Sequence, residues 1–209
     1  MHANLLNPFG PLILLASRSA RRRELLTLVG ARFDCFPVDL DEARLPMERA
    51  EAHVLRLSEG KARAAHAAGA AKGHAEATVV LGADTIVTID REILGKPDRP
   101  EDAARMLARL SGRVHEVWTG LSLVDPADGR AVTQAVRSIV KFMEIDPEEI
   151  RRYVDTGEPL DKAGAYAVQG QGALYVEAIE GSYSNVVGLP LSHLKQALKL
   201  LCHAEPRRS

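Results

Sequence analysis

The segment from Leu12 to Gly30 most constrains the fold, because its pattern predicts a strand that turns tightly into a helix. Leu12–Leu15 is a continuous apolar run of the kind that makes a buried strand. The small and polar residues that follow include Ser17 and Ser19, either of which can cap the helix. Apolar residues then recur at helical spacing until Gly30, a residue type typical of helix ends.

Arg21, Arg22 and Arg23 lie in the first turn of this helix, where the helix dipole is positive. A cation there costs about 0.3–1 kcal/mol at an exposed site unless an anion is bound nearby. Helix N–H groups and guanidinium groups together form a good binding site for phosphate. Two interpretations stay open here: a phosphate site, or arginines that are solvated on a helix surface.

Composition excludes several classes of function. The 209 residues suffice for one domain, or for two lobes that share a sheet. The net charge of -1 gives no basic surface for extended nucleic acid, and 2 cysteines are too few for a disulfide framework or a thiolate metal site. No apolar run reaches the length of about 20 residues that a membrane span needs, and the N-terminus lacks the basic region of a signal peptide. We therefore expect a soluble, cytoplasmic protein that does not contact membranes.

An acidic loop with Asp39, Asp41 and Glu42 precedes an alanine-rich helix that is predicted from about Glu48 to Lys72. Acidic loops are usually solvated, but their oxygen atoms can also hold a hard cation such as Mg²⁺. Within the helix, Lys61 lies in the apolar stripe that contains Val54, Leu57, Ala65 and Ala68. Its side chain either extends outward to solvent or points at an anion in a cleft.

The most strand-like segment, Thr78–Ile89, is interrupted by Asp84. A carboxylate in an apolar strand is costly unless it is paired, metal-bound or at the mouth of a cleft, so we favour a functional role. The nearby Gly82 leaves room for a bulge or for the close approach of a ligand. Further on, Lys96 is fixed between a glycine and a proline, but the sequence around it is not a Walker phosphate loop.

The remaining pattern predicts alternating strands and helices. We expect His115 to be structural rather than a metal ligand. Polar groups that could face a ligand in the glycine-rich region are Glu158, Asp161, Lys162, Gln169, Ser184 and Asn185. The predicted elements are a helix from Pro100, strands at Val114–Val124 and Ala131–Phe142, a helix capped by Asp146, short strands at Ala165–Val168 and Leu174–Ile179, and a final helix from Pro190.

Scattered cations with a few carboxylates suit a polyphosphate ester that is bound with a divalent metal. The cations neutralise phosphate charge, while a carboxylate orients or deprotonates a water. The candidate residues are Arg21, Arg22, Lys61 and Lys96 among the cations, with Glu42 and Asp84 as carboxylates. From the residues alone, this pattern favours a metal-dependent phosphate-ester hydrolase.

Several ordered blocks resemble the signature segments of the Maf family of nucleoside triphosphate pyrophosphatases. They are LASRSARRRELL, LGADTIV, GKP, LSGRVHEVWTG, GEPLDKAGAYAVQGQG and GSYSNVVGLPL, and the resemblance runs from about Leu12 to Leu201. It implies an α/β fold with an elongated mixed sheet flanked by helices, and two lobes with a central cleft. We expect a flexible segment at 1–11, one Maf-like domain at 12–202 and a disordered tail at 203–209.

The resemblance also implies roles for individual residues. Asp84 matches the catalytic base and a metal contact, and Glu42 matches the acidic metal-site position. Ser17 and Arg22 match the phosphate-binding turn. Lys61 and Lys96 match further phosphate cations. The implied cofactor is a divalent cation, Mg²⁺ or Mn²⁺, and the implied assembly is a homodimer.

Three positions divide the family by substrate. This chain carries Arg21, Thr85 and Gln169 there, which is the pattern of the dTTP and UTP type, with modified pyrimidine nucleotides as further candidate substrates. Ala20 replaces a usual proline, and Gly60 can weaken its helix by about 1 kcal/mol, but neither change removes a reacting group.

Other functions stay open. The family is also associated with arrest of septum formation, so the chain could act as a regulator of cell division by binding. A 7-methyl-GTP type or inosine-type pyrophosphatase, or an enzyme that removes the γ-phosphate, are enzymatic alternatives.

Overall fold

The computed structural model describes residues 12–70 and 79–203. The predicted flexible segment at 1–11 and residues 204–209 of the predicted tail lie outside the described residues, whereas residue 203 ends a helix. Across the described ranges, none of the helices has both the length and the apolar character needed to cross a membrane.

Strands and helices alternate along much of the chain. The strands are β1 (Ile13–Leu15), β2 (Phe33–Cys35), β3 (Val79–Ile89), β4 (Glu92–Leu94), β5 (Val114–Val124), β6 (Ala131–Phe142) and β7 (Val176–Glu180). The helices are α1 (Ala20–Leu28), α2 (Ala50–Ala70), α3 (Pro100–Leu110), α4 (Pro147–Asp155), α5 (Tyr183–Val187) and α6 (Leu191–His203).

The strands form a 7-stranded sheet in the order β2-β1-β3-β5-β6-β7, with β4 paired to β3. Strand β1 is parallel to both β2 and β3, with Ile13 opposite Phe33 on one side and Val79 on the other. Strand β4 is antiparallel to β3, and β7 is antiparallel to β6. The predicted α/β fold with a mixed sheet is therefore confirmed.

The chain divides into two compact units. The first contains the described residues up to Asp84, then Gly120–Val136, then those from Gly188 onward; the second contains Thr85–Thr119 and Arg137–Val187. Strands β3, β5 and β6 contribute residues to both units. The central cleft stays a prediction.

The local signals around α1 and α4 are confirmed. Ser19 caps α1, since its side chain accepts a hydrogen bond from the backbone N–H of Arg22. Gly30 follows the helix in the left-handed conformation, with φ of 68°. Asp146 and Glu149 form the predicted capping box at the start of α4.

The predicted strand at Ala165–Val168 is wrong. Gly164 and Ala165 both adopt positive φ, 70° and 61°, which breaks an extended strand. Short 3-10 helices occupy this region instead, at Glu158–Asp161, Ala163–Ala165 and Gln171–Tyr175, so the next strand begins only at Val176.

A buried histidine lies in the core of the second unit. His115 is 1% exposed and its Nε2 lies 2.9 Å from the Tyr166 hydroxyl. Its ring meets Phe142 edge-on, with centroids 4.9 Å apart. Burial lowers the pKa of His115 to about 4, because the charged ring would lose its hydration. This environment fits the expected structural role.

We expect His115 to make stability fall in mild acid. The pKa of His115 is lower in the folded than in the unfolded state. Its contribution to the free energy of unfolding is therefore complete above about pH 6.5 and decreases as the pH falls toward the pKa of the folded state. The free energy of unfolding should drop by about 2 kcal/mol between pH 8 and pH 5 through this group alone. Urea unfolding of wild type and His115→Phe at both pH values measures it. An equal drop in the two proteins would contradict the assignment.

Candidate active site

Ser17 and Arg22 are hydrogen-bonded to each other at the start of α1. Both are buried, at 7% and 8% exposure. Arg22 donates from Nη1 to the Ser17 hydroxyl (3.0 Å) and from Nε to the carbonyl oxygen of Gly188 (2.8 Å). The Ser17 hydroxyl also accepts from the backbone N–H of Ser19 (3.2 Å). The turn thus holds a buried guanidinium at the N-terminus of a helix, a position that favours anions.

The charges around Arg22 explain how it can be buried. Burial lowers the pKa of its guanidinium, and the negative charges of Asp84 and Glu42 oppose this effect, while Arg21 adds to the lowering. Arg22 therefore lies in the field of both carboxylates. Arg23, in contrast, is exposed on α1, which fits the solvated interpretation for that residue alone.

Lys61 joins the two predicted carboxylates. Its side chain does not extend to solvent: Lys61 is 8% exposed, and Nζ lies 2.8 Å from Asp84 Oδ1 and 2.6 Å from Glu42 Oε1. Asp84 is 6% exposed, so this ion pair compensates a charge that would be costly alone.

Two glycines let α2 approach the sheet closely enough to place Lys61. A Cβ at Gly82 in β3 would lie 2.1 Å from the Ser58 carbonyl oxygen, and one at Gly120 in β5 would lie 2.0 Å from the Val54 carbonyl oxygen. Gly82 therefore accommodates the helix backbone, and the prediction that it makes room for a ligand or a bulge is not what the structure shows. The close packing brings Lys61 beside Asp84, two residues beyond Gly82.

A buried cluster fixes the loop that carries Glu42. The carboxylate of Glu48 is 6% exposed and accepts from Arg56 Nε (2.6 Å) and Nη2 (2.8 Å). His53 Nδ1 lies 2.9 Å from the same carboxylate, and the hydrogen bonds from Arg56 lower the pKa of Glu48 to about 2. Arg56 also donates to the carbonyl oxygen of Ala43, the neighbour of Glu42 (3.1 Å).

Gly60 also contributes to this arrangement. A Cβ there would lie 2.9 Å from Leu40 Cδ2, so the missing side chain accommodates the acidic loop against α2. The sequence pattern indicates only that Gly60 weakens the helix, and it does not predict the Glu48 cluster. The available signal was an arginine and a histidine on α2 at positions from which both can reach back to the first acidic residue before the helix.

In the second unit, Thr85 belongs to a chain of hydrogen bonds. Its hydroxyl lies 2.9 Å from the Thr119 hydroxyl, which donates to the Asn185 carbonyl oxygen (3.0 Å). Because Thr119 has one proton and gives it to Asn185, Thr85 is the donor of the pair. Asn185, one of the polar residues that could face a ligand, is instead fully buried. Its amide donates to the Val117 carbonyl oxygen and the Ser138 hydroxyl, so it supports this network. Thr119 was not recognised from the sequence.

Two further predicted site residues of the second unit are exposed. Lys96 and Gln169 both lie at the surface of that unit. Glu158, expected to face a ligand, instead binds Tyr153 through the hydroxyl (2.7 Å) and the backbone N–H groups of Gln171 (3.1 Å) and Gly172 (3.2 Å). It thereby fixes the turn that presents Gln169. The structure thus brings together Ser17, Arg22, Glu42, Lys61 and Asp84 within the first unit.

The carboxylate oxygens are of the kind that a hard divalent cation prefers. Within residues 12–70 and 79–203, no group of three or more His, Cys, Asp or Glu side chains forms a cage for a metal. Glu42 and Asp84 nevertheless point oxygens at one position, the Lys61 ammonium. Mg²⁺ typically takes one or two carboxylates and completes its shell with water and substrate phosphates, so this pair fits such an ion.

A mixed α/β sheet with a buried arginine, a buried lysine and two carboxylates, one buried and one half-exposed, beside a helix N-terminus is the arrangement expected of a phosphate-ester-binding protein. The chain belongs to the Maf-like protein family, whose model matches residues 12–201.

Named relatives are similar over nearly the whole chain. A dTTP/UTP pyrophosphatase of Geobacter sp. (strain M21) is 52% identical over 189 residues, which cover 90% of this chain and 95% of the relative. A dTTP/UTP pyrophosphatase of Syntrophus aciditrophicus (strain SB) is 49% identical over 187 residues, covering 90% and 88%. One of Moorella thermoacetica is 48% identical over 188 residues, covering 90% and 94%.

We expect Gly82→Ala to separate α2 from β3. The new methyl group would collide with backbone atoms that cannot move independently, so the free energy of unfolding should fall by about 3 kcal/mol or more. Gly95→Ala is the matched control, because a Cβ there meets nothing within 4 Å. Urea unfolding of the two variants measures the difference. Equal stability would show that the close approach is not required.

Proposed function

We propose that this protein is a nucleoside triphosphate pyrophosphatase that hydrolyses dTTP and UTP to the monophosphate and pyrophosphate. The observation that carries the proposal is the cluster of buried Arg22, Lys61 and Asp84 with the half-exposed Glu42, in which cations suited to phosphate lie beside carboxylates suited to acid–base chemistry. The identity to relatives named dTTP/UTP pyrophosphatase supports the choice of substrate.

The turn before α1 binds phosphate groups of the nucleotide. Arg22 and the N-terminal N–H groups of α1 bind phosphate oxygens, with the Ser17 hydroxyl as a further donor. Lys61 and Lys96 add positive charge along the polyphosphate. Glu42 and Asp84 would hold a divalent cation, Mg²⁺ or Mn²⁺, which supplies charge against the phosphate oxygens.

Asp84 acts as the general base. It accepts a proton from the water whose oxygen attacks the α-phosphorus. The bond between that phosphorus and the oxygen bridging to the β-phosphorus breaks, and pyrophosphate leaves with the bonding electrons. The nucleoside monophosphate keeps the water oxygen. Asp84 is suited to this role because its carboxylate lies at the buried centre of the cluster, 2.8 Å from the Lys61 ammonium.

Arg21, Thr85 and Gln169 select the nucleobase. The amide of Gln169 offers one donor group and one acceptor, which complements the adjacent N–H and carbonyl of thymine or uracil. Glu158 supports this role by fixing the turn that carries Gln169.

A nucleotide panel with identification of products tests the activity. With Mg²⁺ or Mn²⁺, dTTP should yield dTMP and pyrophosphate. Release of dTDP and phosphate would contradict cleavage between the α- and β-phosphates, and preferred turnover of 7-methyl-GTP or inosine triphosphate would overturn the substrate. No turnover of any triphosphate would favour the alternative, a regulator of septum formation.

In the same assay, we expect Asp84→Asn to lower kcat by about 10³-fold or more, because the amide cannot accept the proton from water. The fold should persist, since Glu42 still pairs with Lys61. Asp90→Asn is the matched control: it is the same change just beyond β3, in an exposed ion pair with Arg113. An active Asp84→Asn enzyme would exclude Asp84 as the base.

We expect Gln169→Glu to reduce the preference for dTTP and UTP over other triphosphates, because a carboxylate lacks the amide donor. The ratios of kcat/KM across the panel measure this. Gln196→Glu, an exposed change on α6, serves as the control. An unchanged nucleotide profile would argue against recognition of the base at residue 169.

A further inference from the structure

The Lys61 ammonium occupies the position where the carboxylates of Glu42 and Asp84 converge. Both contacts are short, at 2.6 Å and 2.8 Å, and Lys61 and Asp84 are both buried. Binding of phosphate alone does not require a lysine to contact both carboxylates, as Lys61 does. In the structure, the residues suited to hold a divalent cation already hold a monovalent one.

The charges of these four side chains balance, and Arg21 adds a further positive charge near Arg22. Glu42 and Asp84 supply two negative charges, and Lys61 and Arg22 supply two positive ones. A divalent cation that entered alone would leave excess positive charge in a buried place and would be repelled by the ammonium at close range. A divalent cation that entered together with a polyphosphate would leave no such excess, because the phosphate oxygens carry compensating negative charge.

Lys61 is the movable member of the set. Glu42 lies on a loop that Glu48 and Arg56 fix against α2, and Asp84 lies within β3. The α2 backbone is itself pressed against Gly82. The long, flexible stem of a lysine can turn its ammonium from a carboxylate to a phosphate without any backbone movement.

We propose that Lys61 is an internal counter-cation that occupies the Glu42–Asp84 pair until a polyphosphate draws its ammonium away. Binding of the divalent metal and binding of the nucleotide are then positively coupled, because each relieves the charge imbalance that the other would create. This inference rests on the proposed function in one respect, that Glu42 and Asp84 hold the metal.

The test is the affinity for Mn²⁺ without any nucleotide, measured from the electron paramagnetic resonance signal of the free ion. Lys61→Met removes the ammonium and keeps the apolar stem. Mn²⁺ should bind this variant about tenfold more tightly than wild type, or more. Lys61→Arg keeps a cation and should not gain affinity. Lys141→Met, which removes an exposed ion pair with Glu177, is the matched control and should behave as wild type.

Thermal unfolding provides a second readout if Lys61→Met is weakly folded. Without metal, the variant leaves the buried carboxylate of Asp84 without its ammonium partner, and its Tm should fall below that of wild type. Mn²⁺ alone should raise the Tm of Lys61→Met by more than it raises that of wild type. Equal affinities and equal Tm shifts in the two proteins would overturn the inference.

The two proposals fail in different ways. A wild-type enzyme that converts dTTP to dTMP and pyrophosphate, with no gain in Mn²⁺ affinity in Lys61→Met, would overturn only the counter-cation. A gain in affinity with no turnover of any triphosphate by wild type would overturn only the proposed activity.

Discussion

The contact between the backbone of α2 and the strands beside it determines where the charged groups of the first unit lie. Side chains normally separate a helix from a sheet, but Gly82 in β3 and Gly120 in the adjacent β5 have no side chain at the points where α2 packs on them. This close packing lets Lys61, on the buried side of α2, reach the carboxylate of Asp84 in β3 without an intervening layer of apolar side chains. The buried charge of Asp84 is tolerated because this contact guarantees it a partner.

A second set of interactions sets the distance of the acidic loop from the same helix. Glu48 is buried and fully bonded, so the loop before α2 has one fixed end. Leu40 rests where Gly60 lacks a side chain, which fixes the loop near its other end. Glu42 lies between these two fixed points and is itself half-exposed, at 54% of its side chain. It therefore combines a defined position with access from solvent, as the proposed exchange of one cation for another requires.

Local patterns in the sequence predicted much of this fold. The bounds of β5 and β6 and the caps of α1 and α4 follow from alternation, turn residues and capping side chains, which act over a few residues. Asp84 and Lys61 stood out because each is a charge in an apolar pattern. The prediction failed where a distant partner decides the outcome. Ala165 takes a positive φ beside Gly164, whose close contact with Val87 no local pattern indicates. The role of Gly82 depends on its contact with Ser58, a residue more than twenty positions earlier in the chain.

The hydrogen bond from Arg22 to the carbonyl oxygen of Gly188 spans 166 positions of the chain. The turn at the start of α1 is among the first parts of the protein to be synthesised, yet the guanidinium at its centre finds this partner only when the segment before α6 has emerged. A nascent or C-terminally shortened chain can form the turn but leaves Arg22 without that acceptor. The hydrogen bonds of this turn are thus completed only when synthesis is nearly finished, which ties the local geometry of the N-terminal segment to the arrival of the C-terminal one.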